Sequence, residues 1–182
     1  MLRAQNEVSW SAVCVGWFAE YILPDPAQRY LTSSGELWPQ NYANKTFTIY
    51  GDGKQLLNVT SARDAARAAV KLLEYDRHAW EDYTYVSGEQ LSWRQLGEFL
   101  QKKDSAYSFK KKSLAASVRQ YVETTSPEDK IAAMFELWAH SEALHFPMEK
   151  VMQHRKKYFS ELQFKDLEKL VSEAAAAPGN VI

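Results

Sequence analysis

TFTIYGDGKQLLNVTSARDAARAAVKLL, residues 46–73, sets a Gly-x-Gly between a β-favouring run and a helix-forming one, and its reading decides the fold. A dinucleotide fingerprint needs Gly-x-Gly-x-x-Gly, because the tight turn, the approach to a pyrophosphate and the helix–strand packing each require a missing side chain. Here the third position is Leu56, and Leu57, Asn58 and Val59 separate the glycines from the first good helix cap. Asp52-Gly53 readily adopts the positive φ of hairpin turns, so FTIY and KQLLNV are predicted as two short strands joined there. No other pair among the 7 glycines comes nearer a phosphate loop, and no Gly-x-x-x-x-Gly-Lys-Ser/Thr is present.

Downstream, Thr60 or Ser61 opens a helix, with Ser61-x-x-Asp64 as a capping box and Ala65, Ala66, Ala68 and Ala69 permitting close packing on a sheet. YTYVSG, residues 83–88, reads as a strand closed by glycine, and Ser92-x-x-Gln95 caps a helix carrying Leu96, Phe99 and Leu100 on one face. FKKKSL is a weak strand before a helix over about 114–122, and Ser126-Pro127-Glu128-Asp129 is a strong helix start. A last helix over about 164–177 stops at Pro178-Gly179. Upstream, VSWSAVCVG and YTYVSG have the pattern of strands buried on both faces, and WFAEYIL begins a short helix ended by Pro24 and Pro26. Residues 27–45 read as an irregular surface segment carrying Trp38. The order is α/β and then increasingly helical, with too few core strands for a doubly wound sheet.

The chain has 182 residues, 46% apolar and 13% aromatic, enough for one domain with a real core. Lys plus Arg total 22 against 23 Asp plus Glu, so no overall charge draws it to nucleic acid or a membrane. Lys110-Lys111-Lys112 reads as a solvated face. The single Cys14 sits in an apolar run as a buried small side chain, and the N-terminus has no long apolar stretch; a cytoplasmic location is the expectation.

The succession SWSAVCVGWFAEYIL, FTIYGDG, TSARDAARAAVKLLE, TYVSGEQLSWRQLGEFL and KKYFSELQFKDLEKLV resembles the C-terminal part of the NmrA-like family. This is the isoflavone reductase-like branch of atypical short-chain dehydrogenases, and the wording is nearest its fungal members. The resemblance implies an α/β chain with the last sheet strands, hairpin and packing helices of a Rossmann-like domain in residues 1–104, and a mostly helical substrate lobe in 105–182. It implies that the N-terminal nucleotide-binding half is absent, together with the glycine loop for NAD(P) and the usual catalytic lysine. No catalytic residue can be carried over. Gly16, Trp17 and Phe18 correspond to the Gly-x-Phe turn that lines the nicotinamide end of the cofactor site in relatives, and Thr60, Ser61 and Asp64 to a helix start bordering the same cleft.

The residues present offer little acid–base machinery of their own. His140 and His145 are five apart, which turns them about 140° from one another on a helix, so they do not form a zinc motif of the His-Glu-x-x-His kind. His140 is expected along the helix FELWAHSEAL as a rim or partly buried residue, and His78 and His154, among charged neighbours, on the surface. The aromatic residues point to a ligand instead: Phe18, Tyr21 and Trp38 before the turn, Phe135 and Trp138 on the lobe, walls suited to a flat aromatic or polycyclic molecule. Core packing competes for the same residues. The expected function is the substrate-side half of an NADP- or NAD-dependent oxidoreductase of secondary metabolism, with the cofactor not held by this chain alone. A cofactor-independent isomerase or cyclase, and a non-catalytic redox-sensing interaction protein, are the alternatives. A homodimer or a complementing N-terminal half is the expected protein partner.

Overall fold

A computed structural model of the protein describes residue 4, residues 7–30 and residues 37–182. Residues 31–36, part of the segment expected to be irregular, lie outside the described residues. The strands are β1 Ala12–Cys14, β2 Trp17–Phe18, β3 Gln40–Asn41, β4 Thr46–Tyr50, β5 Leu56–Thr60, β6 Tyr83–Tyr85, β7 Glu89–Ser92 and β8 Ser108–Lys112. The α-helices are α1 Ala62–Leu73, α2 Trp93–Lys103, α3 Leu114–Glu123, α4 Pro127–Ala139, α5 Met148–Tyr158 and α6 Leu167–Ala176.

These strands form three small sheets. β1 pairs with β6 in parallel, Val13 opposite Thr84. β5 lies between β2, parallel, and β7, antiparallel. β4 lies between β3, antiparallel, and β8, parallel, in the register Thr46↔Ser108 to Tyr50↔Lys112. β8 thus joins β4 across the point, after residue 104, where the helical lobe was expected to begin.

The hairpin read at Asp52-Gly53 is corrected by these ladders: β4 and β5 are not partners. The turn itself forms, with Gly53 N–H donating to the Tyr50 carbonyl at 2.9 Å and positive φ at Gly51 and Gly53. The five residues 51–55 then carry the chain into another sheet, because both edges of β4 are already occupied, one of them by a strand some sixty residues away in sequence. A strand, rather than a helix, follows the glycines, which leaves no phosphate loop there.

Other expectations meet local corrections. Trp17 and Phe18 form β2, and only Ala19–Ile22 turns, as a 3-10 helix. Neither β1 nor β6 is buried on both faces: β1 is half-buried throughout and Tyr83 is exposed, since among the described residues the two strands have only each other as sheet neighbours. Cys14 is likewise only half-buried. The capping boxes divide. At α2 both halves form, Ser92 Oγ accepting from Gln95 N–H and Gln95 accepting from Ser92 N–H at 2.8 Å. At α1 the Ser61 side chain makes no cap, and Asp64, 1% exposed, accepts the Lys165 N–H at 2.7 Å and pairs with Arg67 at 3.0 Å. Asp64 therefore ties α1 to the segment before α6 instead of closing a helix end.

The main core gathers Phe47, Leu57, Val59, Trp93, Leu96 and Leu170, and a smaller one holds Ala68, Leu72, Val86, Tyr158 and Phe159. His154, expected on the surface, is 1% exposed. Its neighbours Arg155, Lys156 and Lys157 are half-buried or exposed, while His154 shares a face with Val151 and Tyr158 at helical spacing. Its Nδ1 accepts Tyr85 N–H at 2.9 Å, which closes the outer side of β6, and its Nε2 lies 3.2 Å from Glu81. No helix among the described residues is long and apolar enough to cross a membrane.

Candidate functional site

The site starts from a close backbone approach. Gly16, at φ +66°, sits so near β5 that a Cβ there would lie 2.1 Å from the Asn58 carbonyl oxygen. That contact brings β2 alongside β5, with Trp17 opposite Val59 and Phe18 opposite Thr60. Asn58, fully buried, in turn pins the chain entering α5: its Oδ1 accepts Phe146 N–H at 2.7 Å, its N–H donates to the Leu144 carbonyl, and its amide donates to Ser87 Oγ at 2.8 Å.

The structure joins the sequence-predicted aromatic residues in one continuous set. Ring centroids are 6.5 Å apart for Phe18–Tyr21, 5.8 Å for Tyr21–Trp38, 5.3 Å for Trp17–Trp38, 5.6 Å for Trp17–Phe135 and 4.7 Å for Phe135–Trp138. Burial separates their capacities. Trp38 and Tyr21 are buried, Trp38 donating through Nε1 to Gln40 Oε1, whereas Trp17, Phe18 and Phe135 are half-buried and Trp138 is exposed. The Trp17 indole N–H is buried without a partner, as is that of Trp93. A donor in that position usually has a water or a ligand to satisfy it.

A cavity of about 260 Å³ opens beside Phe18 and Tyr21, lined also by Glu20, Arg29, Tyr30 and Ala62. Sequence reasoning missed these last four; a lone acid in the apolar run WFAEYIL was the available signal. Glu20 is 2% exposed, and both of its carboxylate oxygens accept Ala62 N–H, at 2.9 and 3.0 Å. Burial pushes the Glu20 carboxyl up from the usual carboxylate range, against the pull of backbone N–H donors and of the Lys165 charge. An internal carboxylate thus occupies the positive end of α1, the helix that follows the Gly-x-Gly stretch. Arg29 is 6% exposed; its guanidinium donates to the Leu23 and Pro24 carbonyls and lies 4.4 Å over the Tyr42 ring. Burial pushes the Tyr42 phenol up to about 12, and its hydroxyl donates to the Tyr21 carbonyl.

The histidines take other places. His140 caps the end of α4, with Nε2 3.1 Å from Ser117 Oγ and its ring edge-on to Tyr50, so it closes the lobe against β4. Among the described residues no group of His, Cys, Asp and Glu could hold a metal ion.

No family model matches the chain. Over its whole length the chain is 33% identical to the oxidoreductase swnR of Metarhizium robertsii and 28% identical to that of Arthroderma benhamiae. It spans only 60% and 59% of those relatives, and the matched portion is their C-terminal part. An isoflavone reductase structure superposes with a TM-score of 0.62 at 14% identity, over 91% of this chain and 52% of that one. The chain is thus similar in fold to an isoflavone reductase and in sequence to fungal proteins named oxidoreductases. A nucleoside-diphosphate-sugar epimerase of Staphylococcus aureus superposes with a TM-score of 0.60 at 13% identity, over 92% of this chain and 53% of that one. The expected α/β fold, the C-terminal portion of a Rossmann-like one with few parallel strands and a helical lobe, is observed, with the strands set in small sheets that mix parallel and antiparallel pairs.

Proposed function

We propose that this chain is the substrate-side part of a nicotinamide-dependent oxidoreductase, acting on a small aromatic or polycyclic molecule in secondary metabolism. The observation that carries the reading is the similarity along the whole chain to fungal proteins named oxidoreductases. The aromatic wall supports it, since Trp17, Phe18 and Phe135 are only half-buried and leave ring surface accessible. The described residues do not fit a dinucleotide pyrophosphate: a strand follows Gly51–Gly53, and Glu20 fills the N-terminus of α1. NADP or NAD would therefore be held by a complementing Rossmann half, with Gly16, Trp17 and Phe18 at its nicotinamide end.

This chain's own contribution is to bind, orient and exclude water. Gly16 seats Trp17 and Phe18 on β5, Phe135 comes from α4 against Trp17, and Trp138 packs on Phe135. Holding reactants at near-attack distance is a large part of what such a wall can supply. The test is to join residues 1–182 to the unmatched part of the Metarhizium relative and to follow NADPH oxidation with aromatic ketones and enones. Turnover that falls on replacing Phe18 or Phe135 by Ala supports the reading. A joined protein that folds and binds NADPH but turns over nothing overturns it in favour of a sensing role.

A further inference from the structure

The cavity beside Phe18 is walled almost wholly by apolar surface, although two of its lining residues are charged. The heads of both are committed elsewhere. Glu20 accepts from Ala62 N–H and Arg29 donates to Leu23 and Pro24, so their methylene stems face the space. At about 260 Å³ it exceeds the roughly 150 Å³ that holds benzene in an engineered protein core. An uncharged group of up to two fused rings fits; a carboxylate there would lose its hydration without gaining a donor.

The rim carries a second feature. Tyr30 lines the cavity yet is 54% exposed, so little packing fixes its ring. Its hydroxyl is instead gripped by Arg63, from the exposed face of α1, with Nε at 3.2 Å and Nη2 at 3.1 Å. The same Nη2 donates to the Val181 carbonyl at 3.2 Å, which anchors the guanidinium from its far side. We propose that Arg63 is a positioning residue: by clamping the Tyr30 hydroxyl it holds that ring as one wall of a binding site for an uncharged fused-ring group. The proposal deepens the substrate-side reading and names residues that neither the aromatic cluster nor any helix cap had marked.

The consequence is kinetic. Release of the clamp frees Tyr30 to swing without disturbing the core, so a bound ring should leave faster while the fold stays as stable. Stopped-flow quenching of the intrinsic tryptophan fluorescence of the 182-residue chain, with 2-acetylnaphthalene as the neutral probe and 2-naphthoate as the charged one, tests this directly. The neutral probe should bind at least tenfold more tightly than the carboxylate. Tyr30→Phe and Arg63→Ala should each speed its dissociation at least threefold, the double variant no further, and Arg63→Lys should recover part of the loss, all with unchanged thermal midpoints. Ala62→Leu, which fills the cavity, should abolish binding.

Equal binding of the two probes, or unchanged binding in Ala62→Leu, overturns the site. Tyr30→Phe releasing the probe at the wild-type rate, or additive effects in the double variant, overturns the clamp. Because these readouts need no cofactor, they stand apart from turnover: a probe that binds as described in a joined protein without activity sinks the oxidoreductase reading alone.

Discussion

Gly16→Ala should be among the most damaging single methyl additions in this chain. At φ +66° any L side chain pays for the left-handed region, about 1–2 kcal/mol. The new Cβ would also lie 2.1 Å from the oxygen and 2.8 Å from the carbon of the Asn58 carbonyl, both backbone atoms. Asn58 cannot yield easily, since β5 is paired on both sides and its side chain holds Phe146 and Ser87. Overpacking of that kind adds about 1–3 kcal/mol, bringing the sum to about 2–5 kcal/mol. Against a total stability of about 5–15 kcal/mol, that is a large fraction. At about 2–4 °C per kcal/mol for a chain of this size, the melting midpoint should fall by about 4–20 °C. Gly179→Ala is the control, because Gly179 has φ +76° but no heavy atom within 4 Å of a built Cβ, so strain alone remains. Urea unfolding followed by tryptophan fluorescence and circular dichroism reads both. Equal loss in the two variants would refute the reasoning, since it would mean that the Asn58 contact carries no cost.

Asp64→Ala should cost about 2–3 kcal/mol rather than the roughly 1 kcal/mol of a lost helix cap, because it strands the buried Lys165 N–H; urea titration distinguishes the two. His154→Phe, which leaves Tyr85 N–H without its acceptor, should destabilise by about 1–3 kcal/mol and raise hydrogen exchange at Tyr85 above that of its neighbours. Burial holds the His140 imidazole below its ordinary 6.5, so the folded state disfavours the charged form; stability from this group is full above 6.5 and is lost as pH falls below it. His140→Gln should flatten that part of the stability–pH curve, and an unchanged slope would assign it elsewhere.

Local chemistry was legible wherever it was self-contained. Ser92 and Gln95 cap α2 through their own side chains, and Ser126-Pro127 starts α4, because both devices close within one helical turn. What sequence could not supply was the choice of partner. Asp64 fits a cap by spacing, yet a buried N–H at Lys165 competes for its carboxylate and wins. β4 and β5 look like a hairpin because their turn residues allow one, but pairing of β4 with β3 and β8, and of β5 with β2 and β7, covers every edge such a hairpin would use. His154 sits among basic residues in the sequence and faces inward because helical spacing sorts it with Val151 and Tyr158. The aromatic cluster was visible as composition, whereas the cavity needed Glu20 and Arg29 to turn their charged heads away, a matter of backbone carbonyls and amides that no residue pattern encodes.

The central claim, that this chain forms the substrate side and leaves the dinucleotide to a complementing half, is tested most directly by calorimetric titration of NADPH. The titration should be run into the 182-residue protein alone and into the same protein joined to the unmatched part of its Metarhizium relative. With Glu20 filling the N-terminus of α1 and a strand following the Gly-x-Gly turn, the account predicts no measurable heat of binding alone and micromolar affinity once joined. Micromolar binding by the 182-residue chain alone would contradict it.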